Sequence, residues 1–237
     1  MKSLAIAIAL TVLTLPVCAG QTASGDSRVP GSAAGKPDWS KLDASLRAQL
    51  MRKGDAEKGQ KAYVMCRGCH KPDASGRPDA GYPQLAGQHA SVLVKQMMDQ
   101  RAGRSDNPKM HPFIEESAVA EDDVADVAAY LSNLPTSTNN RKGDGSKLGR
   151  GKNLYKHDCA SCHGAAGEGD SNKLLPNVAS QHFPYLLRET MDIHDKVRRN
   201  ANADMVKVLQ PYTDADIEAV CDFMSRIPPR TKAAASH

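Results

Sequence analysis

Cys66-Arg67-Gly68-Cys69-His70 is the stretch that decides the fold, because it recurs as Cys159-Ala160-Ser161-Cys162-His163. The two stretches lie 93 residues apart and share the pattern Cys-x-x-Cys-His. Other segments match at nearly the same offset: Lys58-Gly59…Tyr63 with Arg150-Gly151…Tyr155, Pro83–His89 with Pro176–His182, Asn107…Met110 with Asn202…Met205, and Tyr130…Pro135 with Phe223…Pro228. An internal repeat of domain size therefore accounts for most of the chain.

Each repeat has the apolar periodicity of three helices. The pattern predicts helices over 55–66, 88–101 and 121–133, and again over 148–159, 182–195 and 213–226. We expect the small differences in offset between matched segments to fall in loops, where insertions are tolerated. No alternating run of β-branched residues predicts a strand. The predicted fold is all-α, with tandem domains at 54–135 and 149–228 joined by a polar linker at 136–148.

The first 19 residues have the features of an export signal. Lys2 precedes a twelve-residue apolar run, which is too short to span a bilayer unaided. Val17-Cys18-Ala19 then provides a small-residue cleavage site. A second interpretation stays open, in which the residues before Cys18 form a lipobox and this cysteine is lipidated. The mature chain is predicted to be periplasmic, either free or held at the membrane through its N-terminus.

Residues 20–53 precede the repeats. They begin as a Gly/Ser/Pro-rich flexible linker and continue with Trp39, Leu42, Leu46 and Leu50 at helical spacing. We expect a short amphipathic helix over 39–51, capped by Asp38 or Ser40. Because a lone helix of this length is marginal in water, its apolar face must be covered. Packing on the first domain and docking to a partner or membrane surface are both open. Residues 229–237 form a tail.

Composition limits how the two domains can be stabilised. Only 4% of the residues are aromatic, which is thin for two small cores, and small domains are marginal by surface-to-volume scaling. A large buried cofactor would fill and staple such cores. The net charge of +4 comes with no basic patch interleaved with aromatic residues, so nucleic-acid binding is not expected.

The pattern Cys-x-x-Cys-His is the attachment signature of c-type haem. Two thiols one helical turn apart meet the two vinyl groups of the porphyrin, and the following histidine supplies the proximal nitrogen to iron. A four-thiolate zinc site and a pair of local disulfides are the competing interpretations. Neither explains why a histidine follows the second cysteine in both repeats. The sequence therefore predicts two covalently bound haem c groups, at Cys66, Cys69 and His70 and at Cys159, Cys162 and His163.

A sixth iron ligand should recur in both repeats. Met110 and Met205 follow their proximal histidines by 40 and 42 residues and lie in segments that look irregular. A loop can carry such a side chain over the distal face. Two other pairs remain candidates: Met98 with Met191, which lie in predicted helices where methionine more often fills core gaps, and His89 with His182. Ligation by His and Met leaves no open coordination site, which favours electron transfer over catalysis.

Pro83 and Pro176 each come thirteen residues after a proximal histidine. They either form a turn that starts the next helix or present a backbone carbonyl to the N–H group of that histidine, which would fix its ring. The remaining cysteine, Cys221, lies on the apolar face of the last predicted helix. We expect it to be a buried free thiol that acts as a small hydrophobic residue.

With these motifs in this order, the sequence resembles the dihaem cytochrome c4 family from about Gly54 to Pro228. The resemblance implies two class I cytochrome c domains, His70 and His163 as proximal ligands, and Met110 and Met205 as distal ligands. It also implies that Pro83 and Pro176 provide the carbonyl partners. Members of the family are periplasmic and pass electrons from quinol:cytochrome c oxidoreductases to terminal oxidases or other reductases.

Three departures from the family pattern stand out. Lys71 replaces the usual glycine after the first motif, Asn177–Gln181 is a looser version of the Pro-motif, and residues 20–53 have no counterpart. A dihaem redox enzyme and a haem subunit of a larger oxidoreductase complex are the alternatives to a carrier. An enzyme would need one open or displaceable coordination site, whereas both repeats carry the methionine at the same place.

Overall fold

The computed structural model describes residues 43–105 and 107–229. The first half contains α1 (Ala44–Met51), α2 (Ala56–Ala62), α3 (Arg67–His70), α4 (Ala90–Arg101) and α5 (Glu121–Asn133); the second contains α6 (Leu148–Leu154), α7 (Ala160–His163), α8 (Phe183–His194), α9 (Ala203–Leu209) and α10 (Asp214–Arg226). Across these residues, extended pairing is limited to two isolated bridges at matching positions, Arg77 with Tyr82 and Asp170 with Leu175. The all-α prediction is confirmed.

The segment that leads to each attachment motif is one place where the two repeats differ in length. A 3-10 turn, Tyr63–Cys66, connects α2 to α3, whereas a π turn, Tyr155–Cys159, connects α6 to α7. The second repeat therefore holds one additional residue inside a continuous helical segment. We expected such shifts to fall in loops, and for this one the expectation is wrong. A helix accommodates a single insertion by widening its hydrogen-bonded ring from the 3-10 to the π type.

A close helix crossing organises each domain. In the first, Gly59 of α2 lies so near α5 that a Cβ atom built on it would be 1.9 Å from the carbonyl oxygen of Asp126. Gly151 of α6 lies at the matching place against α10, where a Cβ atom would be 2.0 Å from the carbonyl oxygen of Ala219. Only a glycine allows the backbones to approach this closely.

An aromatic pair fills the space beside each crossing. The ring centroids of Tyr63 and Tyr130 are 5.5 Å apart in the first domain, and those of Tyr155 and Phe223 are 5.5 Å apart in the second. Each pair joins the helix before the attachment motif to the last helix of its domain. Two separate apolar cores form around these pairs, and they include Leu93, Val124 and Val127 in one domain and Leu186, Ile217 and Val220 in the other.

Cys221 is buried in the second core, as predicted. Its side chain has no exposed surface, and its thiol lies 3.4 Å from the hydroxyl oxygen of Thr190. Burial raises the pKa of this thiol to about 12, so it stays protonated and acts as a small apolar group.

The helix before the repeats packs on the first domain. Leu46 is 2% exposed and belongs to the first core. The Ser45 hydroxyl donates to Glu121 Oε1 at 2.6 Å, and Arg104 pairs with Asp43 at 2.6 Å. Packing on the first domain, rather than docking elsewhere, is therefore confirmed for α1.

The predicted cap of this helix is wrong. Asp43, not Asp38 or Ser40, precedes α1, and its carboxylate accepts the Leu46 amide at 2.7 Å. The predicted signal peptide, the linker that follows it, Cys18, Trp39 and most of the tail lie outside the described residues. No helix within the described ranges is long and apolar enough to cross a membrane.

The polar segment between the repeats is fixed to the second domain. Asn140 is buried, and its side-chain amide donates to the carbonyl oxygens of Gln181 at 3.0 Å and Ser225 at 2.7 Å. Further along, the amides of Gly143 and Gly145 donate to the Asp222 carboxylate at 3.0 and 2.7 Å. Residues 140–145 of the linker are therefore part of the packed surface of the second domain.

Two glycines of α6 test the importance of the close crossing. Gly151→Ala should destabilise the second domain by about 2 kcal/mol or more, because its Cβ atom would overlap a backbone carbonyl that cannot move aside alone. Gly149→Ala lies in the same helix with nothing within 4 Å of its Cβ position and should stabilise it by about 0.5–1 kcal/mol. Denaturant unfolding of the two holoprotein variants would measure both changes. Equal effects would mean that the crossing does not depend on Gly151.

Candidate haem sites

Each attachment motif begins at the last residue of a helical turn and continues into a short helix that ends at the histidine. Cys66 ends the 3-10 turn before α3, and Cys69 and His70 lie in α3; Cys159, Cys162 and His163 occupy the same places around α7. The two cysteines of each motif are one turn apart and so lie on one side of the helix. Cys66 borders the first core and Cys159 the second. This separation into two domains argues against one zinc site shared by four thiolates.

Both motif histidines are buried and held by a proline carbonyl. His70 is 5% exposed and His163 8%. Their Nδ1 atoms lie 3.0 Å from the carbonyl oxygen of Pro83 and 3.1 Å from that of Pro176. A carbonyl can only accept, so Nδ1 carries the proton and Nε2 is left with a lone pair. Burial lowers the pKa of both imidazoles, which keeps them in the neutral form that binds a metal.

A glycine beside each proline carbonyl leaves room for its contact with the histidine. The amide of Gly76 donates to the carbonyl oxygen of His70 at 3.0 Å, and a Cβ atom on Gly76 would be 2.5 Å from the Pro83 carbonyl oxygen. Gly169 repeats the arrangement with His163 and Pro176. The loop is therefore closed around the histidine by backbone contacts that exclude any side chain at these two positions.

The residue after each motif has a backbone conformation that favours glycine. Gly164 has φ 81° and ψ 158°, and Lys71 has φ 65° and ψ 162°. A residue with a Cβ atom is strained in this region. The conformation is held by a tyrosine, because the hydroxyl of Tyr63 donates to the Lys71 carbonyl at 2.9 Å and that of Tyr155 to the Gly164 carbonyl at 2.7 Å. These hydroxyl contacts were not foreseen from the sequence, although the repeated tyrosine was the available signal.

The two candidate distal methionines lie in different local structures. Met110 precedes a 3-10 turn, and its amide donates to the Asn107 carbonyl at 2.9 Å. Met205 lies in the first turn of α9, which Asn202 caps by accepting the Asp204 amide at 2.8 Å. The description of the Met205 segment as irregular is therefore wrong. The asparagine recurs in both repeats because it begins the turn that carries the methionine.

The other candidate ligands lie in the cores or at the domain interface. Met98 is 5% exposed within the first core, and Met191, like Met205, packs against the second. His89 Nε2 donates to the Glu168 carbonyl at 2.7 Å. His182 uses both ring nitrogens: Nε2 donates to the carbonyl of Ser75 and Nδ1 accepts a backbone amide of the linker. These contacts leave the paired histidines at the domain interface rather than free to bind iron.

The donor set at each site fits a covalently attached haem. It consists of two thiols one turn apart, next to a buried neutral imidazole whose orientation is fixed by a proline carbonyl at Nδ1. Burial raises the pKa of the Cys66 thiol to about 11 and that of Cys159 to about 12, so both thiols are protonated at neutral pH. Addition of a thiol across a vinyl group, with its proton, gives the thioether that attaches a c-type haem.

Comparison with known proteins agrees with this geometry. The family model described as cytochrome c matches residues 56–135 and 148–228. Cytochrome c4 of Pseudomonas aeruginosa is 28% identical over 72% of this chain and 88% of its own length. A thiosulfate dehydrogenase electron acceptor of Stutzerimonas stutzeri is 29% identical over 75% of this chain and 90% of its own length. The crystal structure of reduced cytochrome c4 from Pseudomonas stutzeri superposes with a TM-score of 0.67 at 26% identity, over 73% of this chain and 99% of that one.

Fold, sites and comparisons define a c-type cytochrome with one haem in each of two tandem domains. The chain belongs to the cytochrome c family, in its dihaem cytochrome c4 group. It is an electron-transfer protein with two covalently bound haem c groups.

The backbone strain at Lys71 predicts how substitutions after the two motifs change the stability of each domain. Lys71→Gly should stabilise the first domain by about 1 kcal/mol, because relief of about 1–3 kcal/mol of backbone strain exceeds the added chain entropy of glycine in the unfolded state. Gly164→Lys should destabilise the second domain for the same reason. Denaturant midpoints at constant m-value would measure both effects. A loss of stability in Lys71→Gly would show that the lysine side chain contributes more than its backbone costs.

Proposed function

We propose that this protein carries electrons in the periplasm between a quinol-oxidising or dehydrogenase complex and a terminal oxidase or reductase. The observation that carries the proposal is the pair of buried imidazoles, His70 and His163, each oriented by a proline carbonyl beside two cysteines. The repetition of one arrangement in both domains supports two sites with the same task. A redox enzyme instead needs at least one site that opens to substrate.

In this proposal His70 and His163 would hold the haem iron through Nε2, and Met110 and Met205 would be its second protein ligands. When bound, haem supplies a one-electron couple between ferric and ferrous iron. The proline carbonyl keeps the proton on Nδ1 and fixes the plane of the imidazole ring. Met110 and Met205 would occupy the last coordination position, exclude small ligands and raise the reduction potential.

The partners are proposed from chemistry and from relatives. A relative that covers most of this chain bears the name of a thiosulfate dehydrogenase electron acceptor, which supports a dehydrogenase among the electron donors. A role as the haem subunit of such a complex is the second candidate, and that same relative is the observation that favours it. Export to the periplasm, with a peripheral attachment to the membrane if Cys18 is lipidated, is proposed from the N-terminal sequence.

Replacing the distal methionines tests the ligand set. Met110→Ala should leave both haems attached, because the thioethers and His70 are untouched. It should abolish the sulfur-to-iron charge-transfer band of one haem and lower the potential of that haem, since a thioether stabilises ferrous iron. Met205→Ala should do the same to the other haem. Met98→Ala is the matched control, which should lower stability by about 2–5 kcal/mol and leave both spectra unchanged. The opposite pattern would make Met98 the ligand.

Small-ligand binding tests the carrier function. Two six-coordinate haems should bind carbon monoxide slowly and incompletely when reduced, and should react slowly with peroxide. Optical titration of the dithionite-reduced protein with carbon monoxide would measure the occupancy of each haem. The Met110→Ala variant is the positive control, because removal of its sulfur opens one site. Stoichiometric binding by the unaltered protein would contradict the carrier proposal and support an enzyme.

A further inference from the structure

The interface between the two domains contains a pair of glutamines at matching positions of the repeats. Gln181 reaches the backbone of Gln84: its Oε1 accepts the Gln84 amide at 2.9 Å, and its Nε2 donates to the Gln84 carbonyl at 2.8 Å. Gln88 makes the same two contacts with the backbone of Asn177, both at 2.9 Å. Each glutamine therefore holds one peptide segment of the opposite domain through a donor and an acceptor at once.

The paired histidines add a second contact in each direction. His182 Nε2 donates to the carbonyl of Ser75 at 2.7 Å, and His89 Nε2 donates to the carbonyl of Glu168 at 2.7 Å. Ser75 and Glu168 are again 93 residues apart. Each domain thus holds the other at two points, and the pattern has the two-fold relation of the internal repeat.

The contacts in the first domain adjoin the residues that position its haem-binding histidine. Gln84 directly follows Pro83, whose carbonyl accepts the Nδ1–H group of His70. Ser75 directly precedes Gly76, whose amide donates to the His70 carbonyl. The second domain therefore fixes both ends of the loop that surrounds His70.

The same relation holds in the second domain. Asn177 directly follows Pro176, and Glu168 directly precedes Gly169, whose amide donates to the His163 carbonyl at 2.8 Å. The contacts made by the second domain are the more buried ones, with Gln84 4% exposed and Gln181 7% exposed. Water competes poorly for buried hydrogen bonds, so the first loop should be held more firmly than the second.

We infer that Gln181 is a positioning residue for the haem of the first domain, and Gln88 for the haem of the second. Each acts across the interface, by fixing the residue after the proline whose carbonyl orients the proximal histidine. A tight Nδ1–H···O contact increases the electron density on the imidazole and favours ferric iron. The domain interface therefore sets the reduction potentials of the haems as well as the relative position of the domains.

Single substitutions in the holoprotein test this inference. Gln181→Ala frees the Gln84 backbone, so the potential of the first haem should rise and the proton NMR signals of its methyl groups should shift. Gln181 belongs to the second domain, yet the potential of the second haem should stay unchanged. Gln88→Ala should show the reverse assignment. Spectroelectrochemical titration and NMR of the oxidised protein measure these changes without any redox partner, so the outcome does not depend on the proposed place in respiration.

The matched control is Gln84→Ala, which removes two hydrogen bonds at the interface but keeps the backbone atoms that Gln181 binds. The Gln84 side chain donates to the Ser180 carbonyl at 3.0 Å and accepts the Ser137 amide at 2.9 Å. Gln84→Ala loses both of these bonds while its backbone keeps its contacts with Gln181. It should lower stability and leave both potentials unchanged. If Gln84→Ala shifts the first haem as much as Gln181→Ala does, or if Gln181→Ala shifts only the second haem, the inference is wrong. Should Gln181→Ala fail to fold, the more exposed Gln88→Ala decides the question alone.

Discussion

The hydrogen bond between each motif histidine and the proline carbonyl thirteen residues later is the contact on which the rest of each domain depends. It settles the tautomer of His70 and His163, so that the proton is on Nδ1 and the lone pair on Nε2. It also explains the residues around it: Gly76 and Gly169 leave room for the carbonyl, and the interface glutamines fix the next residue. An imidazole oriented in this way by backbone would need little rearrangement when a metal ion bound to it changes charge.

Much of this arrangement is present in the sequence, because its cause is local or repeated. The six helices predicted within the repeats begin and end within two residues of the predicted bounds, apart from the turns that close the first helix of each repeat. The motif spacing places the cysteines and histidine on one continuous helical segment. The distance from His70 to Pro83, repeated from His163 to Pro176, left a helix-starting turn and a carbonyl contact both open, and the family resemblance favoured the carbonyl contact. Periodicity and repetition are both properties of the chain alone, which is why they could be read without the fold.

What could not be predicted depends on contacts between distant parts of the chain. Asp43 caps α1 because the helix begins where it meets the first domain, and no local signal separated it from Asp38 or Ser40. His89 and His182 were marked by their repetition, but their partners are carbonyls 79 and 107 residues away. The π turn before Cys159 follows from keeping both Tyr155 and His163 in contact with their neighbours despite one additional residue. In each case tertiary contacts decide between local conformations or hydrogen-bond partners that the local sequence does not distinguish.

The two domains share a set of residues that contact backbone, here called the frame, and differ on their surfaces. Glycine, tyrosine, proline, glutamine and histidine match at the positions that touch backbone, either within the domain or across the interface. Just before the attachment cysteine, the first domain exposes Val64 (55%) and Met65 (52%), whereas the second exposes three polar residues, Lys156, His157 and Asp158. Ala74, Leu174, Ser180 and Lys196 have positive φ where the other repeat has glycine, and Lys71 is a further departure of this kind inside the frame. Its backbone still takes the conformation of Gly164, because the Tyr63 hydroxyl and the loop closed around His70 determine that conformation more strongly than the residue's own preference. The frame therefore dictates the backbone, and a side chain at this position must accommodate it.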